Sequence, residues 1–313
     1  MRFLFVMDPA ETMHPTKDTS FAFLRSAGRR GHECFHCLPH ALSNEGANVR
    51  ARARSIRVSD TAPHVALGDE TALELALLDA VFVRKDPPFD SAYLHLTHQL
   101  ELVKDRVLVL NDPRGIRDAN EKLFAFHFGA WMPRSLVSSS PAEIVAFVAA
   151  VGGQAVLKPI DGAGGAGVVV LRSDDRNTRS LADVWTAEGK RLALVQEYEP
   201  AIRVGDKRVI VLDGVAIGAI LRVPREDDVR ANIHAGGNVV PAELTPRERE
   251  LVAAVGPKLS AHGLYFVGLD LIGERLIEVN VTSPTGIQEL SRFAGRPVED
   301  DVLAWVEARA HRK

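Results

Sequence analysis

The chain has 313 residues, of which 46% are hydrophobic and 25% charged, and this composition excludes disordered, collagen-like and low-complexity proteins. Its 41 acidic and 38 basic residues give a net charge of -3, which provides no long-range attraction for nucleic acid or for an anionic membrane surface. No apolar run approaches the roughly 20 residues of a membrane span, and the cysteine count of 2 excludes a disulfide scaffold, so we expect a cytoplasmic protein of about two domains.

The amino-terminal part alternates apolar runs with helical stretches, which is the pattern of an α/β domain. Asp18-Thr19-Ser20 precedes an apolar stretch that ends near Gly28, and this order predicts a capped helix. Polar residues follow the predicted strands at Arg84 and at Asn111, and open α/β sheets bind ligands at that edge. The runs that predict strands of a largely parallel, buried sheet are residues 3–7, 33–38, 80–83 and 107–110.

A different pattern begins near residue 120. A helix carrying Lys122 is predicted over residues 115–129, and closely spaced short strands with tight turns then predict antiparallel pairing. These strands are predicted over residues 154–158, 167–172, 193–197, 207–212 and 215–223. The change divides the chain into residues 1–120 and residues 121–313, the latter with lobes 121–199 and 200–313.

A glycine-rich loop at residues 162–167 matches the dinucleotide pattern G-x-G-x-x-G. That pattern requires a helix after the loop, whereas residues 168–170 here are all valine and favour a strand. We therefore interpret the loop as a flap between two strands, whose backbone N–H groups can approach phosphate, with Lys158 in reach of the same oxygens. The alternatives are a plain glycine-rich hairpin with a solvated lysine, or a nicotinamide oxidoreductase that rests on the glycine pattern alone.

An acidic hairpin is predicted near the carboxyl end, with strands over residues 267–272 and 276–281. A three-residue turn would place Asp270 directly opposite Glu278, whereas a two-residue turn would put the two on opposite faces. In the first register Asp270, Glu278 and Asn280 share one face, and their oxygens suit Mg²⁺ or Mn²⁺. The alternative is a solvent-exposed polar face of a half-buried strand.

Two further segments complete the parts that phosphoryl transfer requires. Residues 194–200 resemble a strand that becomes a linker, and such a segment can offer backbone groups to an adenine edge. Arg208, beside the predicted metal site, can pair with phosphate through two hydrogen bonds.

Together these motifs resemble the ATP-grasp superfamily, and closely the bacterial glutathione synthetases, over nearly the whole chain. The resemblance implies an α/β chain (α+β overall) in which a Rossmann-like pre-ATP-grasp substrate domain precedes the ATP-grasp fold. The most specific segments are Lys17-Asp18-Thr19-Ser20-Phe21, Arg84-Lys85-Asp86-Pro87-Pro88-Phe89-Asp90, Asn120-Glu121-Lys122-Leu123, Leu157-Lys158-Pro159, Asp161-Gly162, Asp206-Lys207-Arg208 and Glu278-Val279-Asn280-Val281-Thr282-Ser283-Pro284-Thr285.

The resemblance implies an ATP-dependent ligase that joins γ-glutamylcysteine to glycine through an acyl phosphate, giving glutathione, ADP and phosphate. It implies that Lys158 and Arg208 are catalytic and that Asp270, Glu278 and Asn280 hold Mg²⁺ or Mn²⁺. The residues that it implies for ATP binding are Lys122, Lys158, Gly162, Gly164, Gly165, Gln196, Glu197, Tyr198, Asp206 and Arg208. Those that it implies for the substrates are Asp18, Ser20, Arg84, Asp86, Arg222, Arg230, Asn232, Ser283 and Thr285. It also implies a homotetramer.

The segment expected to cover the substrate departs from the family pattern. Glu226-Asp227-Asp228 replace a stretch that is often glycine-rich in relatives, and Asn238 stands where an arginine is common. Three acids beside a substrate that bears carboxylates are unfavourable unless they face solvent. Independently of these departures, the alternatives are an ATP-grasp carboxylate–amine ligase with another acceptor, or a non-catalytic ATP-binding regulatory protein.

Cys34 and Cys37 form a C-x-x-C pair that invites a metal or redox interpretation. In a strand these two side chains would face opposite ways, so we predict that they bind no common metal. We also expect the remaining conspicuous residues to be structural. Trp131, Trp185 and Trp305 should be packing residues, and the arginines at 25, 29, 30, 52, 54 and 57 should lie on solvated faces or subunit contacts.

Overall fold

The computed structural model describes residues 1–162, 164–224 and 238–310, and its strands form three sheets. Arg230, Asn232 and the acidic run Glu226-Asp227-Asp228 lie outside the described residues. The strands are β1 (Arg2–Met7), β2 (Glu33–Cys37), β3 (Leu42–Glu45), β4 (Asn48–Val58), β5 (Val65–Glu74), β6 (Ala80–Arg84), β7 (Leu108–Leu110), β8 (Ser135–Ser138), β9 (Gln154–Pro159), β10 (Val169–Arg172), β11 (Ala193–Glu197), β12 (Asp206–Leu212), β13 (Val215–Val223), β14 (Asn238–Ala242), β15 (Phe266–Ile272) and β16 (Arg275–Asn280). The helices are α1 (Thr19–Arg29), α2 (Ser91–Glu101), α3 (Pro113–Asp118), α4 (Pro141–Ala150), α5 (Thr178–Trp185), α6 (Pro246–Ala261), α7 (Ile287–Ala294) and α8 (Glu299–Ala310).

The first sheet has β1 near its centre, and its strand order is β3-β4-β2-β1-β6-β7, with β5 paired to β4. β1 runs parallel to β2 and to β6, and β6 runs parallel to β7, which confirms the four predicted parallel strands. Cys34 belongs to the core on one face of this sheet and Cys37 to the core on the other, so the prediction that they face apart is confirmed. Burial raises the pKa of each thiol to about 12.

The other two sheets are antiparallel, as the short strand spacing predicted. The second has the order β10-β9-β11-β8 and carries the glycine flap between β9 and β10. The third has the order β14-β13-β12-β15-β16 and carries the acidic hairpin at its edge. The glycine flap and the acidic hairpin therefore come from separate parts of the chain and lie on two different sheets.

The helix predicted over residues 115–129 is wrong, because the chain changes conformation in the middle of that segment. Helix α3 ends at Asp118, and a separate run of 3-10 turns covers Phe124–Trp131. Between them the side-chain oxygen of Asn120 accepts the N–H groups of Lys122 and Leu123, each at 3.0 Å. This side chain replaces the backbone acceptor that a continuous helix would use, and it leaves Lys122 in a turn.

The last helix packs on the first sheet, far from its neighbours in sequence. Val302, Leu303 and Val306 of α8 belong to the same buried cluster as Phe3 and Phe5 of β1. Helix α8 is therefore packed against the sheet that contains β1. No helix in the part of the chain that the structure describes is long and apolar enough to cross a membrane.

Candidate active site

Hairpin β15–β16 places Asp270 directly opposite Glu278 and confirms that pairing, although the predicted three-residue turn is wrong. The turn has two residues, Gly273 and Glu274, both with left-handed φ values of 53° and 64°. A regular ladder from such a turn would pair Asp270 with Ile277. Instead the register shifts by one residue after Asp270, and Ile277 forms a β-bulge. The bulge restores the Asp270–Glu278 pair.

Asn280 completes this face of the hairpin. Its side-chain nitrogen donates to Asp270 Oδ2 at 3.2 Å and to the Gly268 carbonyl at 3.3 Å. Within the described residues no cluster of three or more His, Cys, Asp and Glu side chains is arranged to hold a metal. Two carboxylates and an amide oxygen nevertheless fit Mg²⁺, which takes few protein ligands and completes its shell with water and phosphate oxygens.

Asp270 lies in a buried network of four charged side chains. Arg208 donates to both of its oxygens, through Nε to Oδ1 and through Nη2 to Oδ2 at 2.9 Å. Arg222 Nη2 lies 2.9 Å from Asp270 Oδ2 and also bonds Asp206. Burial opposes ionisation of Asp270, but the two arginines outweigh it and hold its pKa well below the usual range. Burial raises the pKa of Asp206 to about 6, against the opposing effect of Arg222.

Two lysines approach Glu278 from the other side. Lys122 Nζ lies 3.9 Å from Glu278 Oε1, and Lys158 Nζ lies 4.0 Å from the same oxygen. Gln196 Oε1 accepts from Lys158 Nζ at 2.8 Å and so fixes its direction. Burial lowers the pKa of Lys158, whereas for Lys122 the carboxylates of Glu278 and Glu121 outweigh burial and raise it. The site thus holds two closely spaced cations that suit a polyphosphate.

The glycine flap is tied to Lys122. Lys122 Nζ donates to the Gly162 carbonyl at 2.5 Å. Gly167, at the far end of the flap, has a left-handed φ of 74°, and a Cβ added there would lie 2.7 Å from the ring of Trp185. Glycine is therefore required at this end by both backbone conformation and packing.

A cleft of about 820 Å³ lies between the flap sheet and the hairpin sheet. Its walls combine apolar side chains with the charged groups described above, which is the composition of a small-molecule site. Tyr198 N–H, in the predicted adenine segment, donates to the Gln154 carbonyl at 3.3 Å. The predicted ATP residues among the lining are Lys158, Gly165, Gln196, Glu197, Tyr198 and Asp206, joined by Asp270 and Glu278. Among the described residues, the predicted residues Lys122, Gly162, Gly164, Arg208 and Asn280 do not line it.

A second pocket, of about 1120 Å³, lies at the carboxyl end of β1 and β6. It brings together most of the predicted substrate residues: Asp18, Ser20, Arg84, Asp86, Ser283 and Thr285. Arg222 is not among its lining residues and pairs instead with Asp206 and Asp270. Of the group, Asp18 also has a structural task, because its carboxylate caps α1 by accepting the Ser20 N–H at 2.6 Å.

Arg84 is the buried cation of this pocket. Its Nε donates to Ser20 Oγ at 3.1 Å and its Nη2 to the Pro284 carbonyl at 3.1 Å. Its Nη1 is buried and has no hydrogen-bond partner among the described residues. Burial lowers the pKa of Arg84. A buried guanidinium with an unused N–H is suited to a carboxylate ligand.

Residues 283–285 connect the second pocket, which Ser283 and Thr285 line, with the charged network around Asp270. Arg208, which bonds Asp270 at the cleft, donates to the Thr285 carbonyl at 3.1 Å. Arg84, in the pocket, donates to the Pro284 carbonyl next to it. Two arginines therefore hold adjacent carbonyls of one short segment, which links the second pocket to the charged network at Asp270.

Several residues of these sites were not identified from the sequence as site residues. Asp8 accepts the Asp86 N–H at 2.9 Å and lies 3.1 Å from Lys85, and its place after a buried strand could have indicated it. Glu121 bonds Lys122 at 2.5 Å and directly precedes it in the chain. Glu289 lines the second pocket from helix α7. The only signal for it in the sequence was an acidic residue at a helix position that is otherwise apolar.

Comparisons with known proteins cover nearly all of this chain. Residues 1–117 match the prokaryotic glutathione synthetase N-terminal domain, and residues 121–295 match the prokaryotic glutathione synthetase ATP-grasp domain. Glutathione synthetase of Gloeobacter violaceus is 43% identical over 98% of this chain and 96% of its own length. That of Mesorhizobium japonicum is 42% identical over 98% of this chain and 97% of its own length.

A likeness to a solved structure supports the same fold. The crystal structure of D-cycloserine synthetase DcsG superimposes with a TM-score of 0.65 over 100% of this chain and 99% of that chain, at 17% identity. At this identity the likeness shows the fold alone, and the predicted ATP-grasp class is confirmed by the ATP-grasp domain matched over residues 121–295. On its two matched domains and its full-length relatives, the chain belongs to the prokaryotic glutathione synthetase family.

Proposed function

We propose that the two sites divide the two halves of one ligation between them. As a member of its family the chain is an ATP-dependent ligase that makes glutathione. In our proposal ATP lies in the cleft between flap and hairpin, and γ-glutamylcysteine lies in the second pocket. Residues 1–120 then supply most of the dipeptide site, and residues 121–313 supply the nucleotide site.

The observation that carries this assignment is the segment 283–285, whose adjacent carbonyls accept from Arg84 in the second pocket and from Arg208 in the network at Asp270. A dipeptide anchored at Arg84 can extend its cysteinyl carboxylate past Thr285 toward Arg208. The carboxylate attacks the γ-phosphorus, the bond to the β-phosphate oxygen breaks, and an acyl phosphate forms. The glycine amine then attacks the acyl carbon and releases phosphate.

Side chains of the network act by charge and position in this scheme. Lys122 and Lys158 neutralise phosphate oxygens, while Gln196 keeps Lys158 aimed into the cleft. Arg208 stabilises charge on the transferred group, and Asp270 keeps its guanidinium in place. Such cations stabilise the transition state electrostatically. Their effect is large because they are already in position and need no rearrangement during the reaction.

Asp270, Glu278 and Asn280 would hold Mg²⁺ or Mn²⁺ in this proposal. Bound there with the phosphates, the cation would offset negative charge on the nucleotide. Glu278 is held between Lys122 and Lys158 with no arginine on it, so it is the ligand that can turn to a cation at least cost.

The direct test is phosphate release by the purified chain. The protein is incubated with Mg-ATP, γ-glutamylcysteine and glycine, and phosphate and glutathione are measured together. We expect both products in equal amounts. Phosphate release no greater than in a control without dipeptide would contradict the assignment, and other dipeptides and amines would then be screened.

Glu278→Gln tests the role of the hairpin. It removes a charge that faces the phosphate-binding lysines and should lower kcat by about 100-fold to 1000-fold. The fold should remain stable, because the side chain is partly exposed, at 19%. Turnover and thermal unfolding are both measured for each variant. Glu45→Gln, at an exposed position of β3, is the matched control. Unchanged turnover of Glu278→Gln would contradict the metal and phosphate role.

A further inference from the structure

Glu121 is a carboxylate beside the site that the proposed reaction does not use. It begins a turn after α3, and 18% of its side chain is exposed. Its backbone carbonyl accepts the Val279 N–H at 2.8 Å, which fixes this turn against strand β16 next to Glu278. Its Oε1 accepts from Lys122 Nζ at 2.5 Å. Lys122 is therefore held by a residue that is itself anchored to the acidic hairpin.

Lys122 joins several parts of the site through one ammonium group. Besides its bond to Glu121, Nζ donates to the Gly162 carbonyl at the start of the flap, at 2.5 Å. Its distance of 3.9 Å from Glu278 Oε1 is too long for a hydrogen bond. A lysine ammonium has three N–H donors, so within the described part of the chain one of them is left for a phosphate oxygen. The direction of that third N–H depends on the bonds made by the other two.

The second lysine of the site is held by a neutral group. Lys158 Nζ lies 4.0 Å from the same Glu278 oxygen and donates to Gln196 Oε1 at 2.8 Å. Each lysine thus has a side-chain oxygen that fixes its direction, a carboxylate for Lys122 and an amide for Lys158. The comparison indicates that the hydrogen bond, rather than a negative charge, is the feature that the two lysines share.

Glu121 belongs to a different pocket from the nucleotide cleft. It lines a pocket of about 620 Å³ together with Phe89 and Asp161, whereas Lys158 and Glu278 line the cleft between flap and hairpin. A carboxylate that touched a bound nucleotide would repel its phosphates. Glu121 can therefore assist a nucleotide in the cleft only through Lys122.

We propose that Glu121 is a positioning residue, which holds the Lys122 ammonium by a hydrogen bond so that its remaining N–H points at the phosphates of a bound nucleotide. The assignment rests on the proposed function, in which ATP occupies the cleft. Because the bound cation takes Glu278 in that scheme, Glu121 and the Gly162 carbonyl are the groups that continue to hold Lys122. Through the same lysine, Glu121 keeps the start of the flap beside the hairpin.

The test measures, by calorimetry, the binding of AMPPNP, an ATP analogue that is not hydrolysed, in the presence of Mg²⁺. We expect Glu121→Ala to raise the Kd about 10-fold, because it removes a hydrogen bond to a charged group. Glu121→Gln should bind within about 3-fold of the wild type, since its amide oxygen can accept from Lys122 as Gln196 accepts from Lys158. An equal loss in both variants, or tighter binding by Glu121→Ala, would overturn the assignment in favour of a purely electrostatic role.

A double-mutant comparison tests whether Glu121 acts through Lys122. Lys122→Met removes the ammonium, so Glu121→Ala should cause no further loss of affinity in that background. A second loss of the same size as in the wild-type background would overturn the assignment, because Glu121 would then act by another route.

Asp118→Ala is the matched control. It removes a carboxylate three positions earlier, which lies 3.5 Å from Arg114 and is 49% exposed, and it should leave the Kd unchanged. Thermal unfolding without nucleotide verifies that each variant is folded, and Glu121→Ala keeps the backbone bond to Val279. An equal loss of affinity in Asp118→Ala would show a general effect of charge and would overturn the assignment.

The failure of the proposed function gives a different result. A wild type that binds AMPPNP but makes no glutathione from γ-glutamylcysteine and glycine would overturn the proposed function, and the Kd values of the Glu121 variants would still decide this assignment. A wild type that makes glutathione, beside a Glu121→Ala variant that binds AMPPNP equally well, would overturn the assignment alone.

Discussion

Asn111 joins two distant parts of the chain through its side chain alone. Its amide nitrogen donates to the carbonyls of Phe266 and Val281 at 2.8 Å each, and its oxygen accepts the Phe266 N–H at 2.7 Å. The sequence placed it at the strand edge where α/β sheets bind ligands. Arg84, at the same edge, does line a pocket, whereas Asn111 lines none of those described above and fixes the segment that leads to residues 283–285.

Asn111→Ala should therefore be strongly destabilising. It leaves two buried carbonyls and one buried N–H without partners, and each such group costs about 1 kcal/mol or more. We expect the free energy of unfolding to fall by about 3 kcal/mol, measured by urea denaturation. Asn44→Ala on exposed β3 is the control and should cost less than about 1 kcal/mol. Equal losses in the two variants would contradict this account.

At the scale of the element, the acidic hairpin marks what sequence patterns can and cannot predict. Residue types and spacing predicted both strands, but they predicted the pairing of Asp270 with Glu278 only for a three-residue turn. The route to that pairing was not predictable, because the extra residue Ile277 depends on tertiary packing rather than on turn composition. A side effect of the bulge is that Ile277 and Glu278, although adjacent, both line the cleft between the flap sheet and the hairpin sheet.

Other parts of the chain were missed or wrongly predicted for identifiable physical reasons. Strands β3, β4 and β5 lie within residues 42–74, where short alanines alternate with exposed arginines such as Arg52 and Arg54 and the apolar pattern is weak. The helix predicted over residues 115–129 fails at Asn120, whose side chain competes for backbone N–H groups. Glu289 was missed because an acid on a short helix carries no motif.

The amino terminus of α6 offers a clear test of local capping. Thr245 Oγ1 accepts the Glu248 N–H at 3.2 Å, and the Glu248 carboxylate accepts the Thr245 N–H at 2.8 Å. Thr245 Oγ1 also donates to the Glu274 carboxylate at 2.6 Å. Thr245→Ala should lower the free energy of unfolding by about 1 to 2 kcal/mol. Chemical denaturation measures the change.

Helix α5 supplies the control for that prediction. Its N-cap residue, Asn177, makes no side-chain capping bond. Asn177→Ala should therefore change the free energy of unfolding by much less than Thr245→Ala. If both substitutions cost the same, the effect would come from propensity at the cap position and not from the observed hydrogen bonds.

At the scale of the whole molecule, ionic and apolar contacts join helix α8 to the amino-terminal part of the chain. Glu307 of α8 accepts from Arg30 at 2.8 Å and 2.5 Å, and from His32 Nε2 at 2.5 Å. Beneath these contacts lies the apolar cluster that α8 shares with β1. Because β1 and β6 also end at the second pocket, the fixed position of this sheet supports the geometry of that pocket.

Glu307→Gln should reveal this connection as a pH-dependent loss of stability. The hydrogen bond from Arg30, together with His32, lowers the pKa of Glu307 to about 2, below the ordinary value of 4.5. A carboxylate with a lowered pKa in the folded state stabilises the fold above its unfolded pKa, and the stabilisation is lost as pH falls toward the folded pKa. The difference in the free energy of unfolding between wild type and Glu307→Gln should thus be full above about pH 5 and shrink as pH falls from 4.5 toward 2.

Because the pair is partly exposed, we expect this difference to be about 1 kcal/mol at neutral pH. Urea denaturation across this range gives the measurement, with Glu250→Gln on the exposed face of α6 as control. A gap that is the same at every pH would mean that Glu307 acts through helix packing and not through its charge.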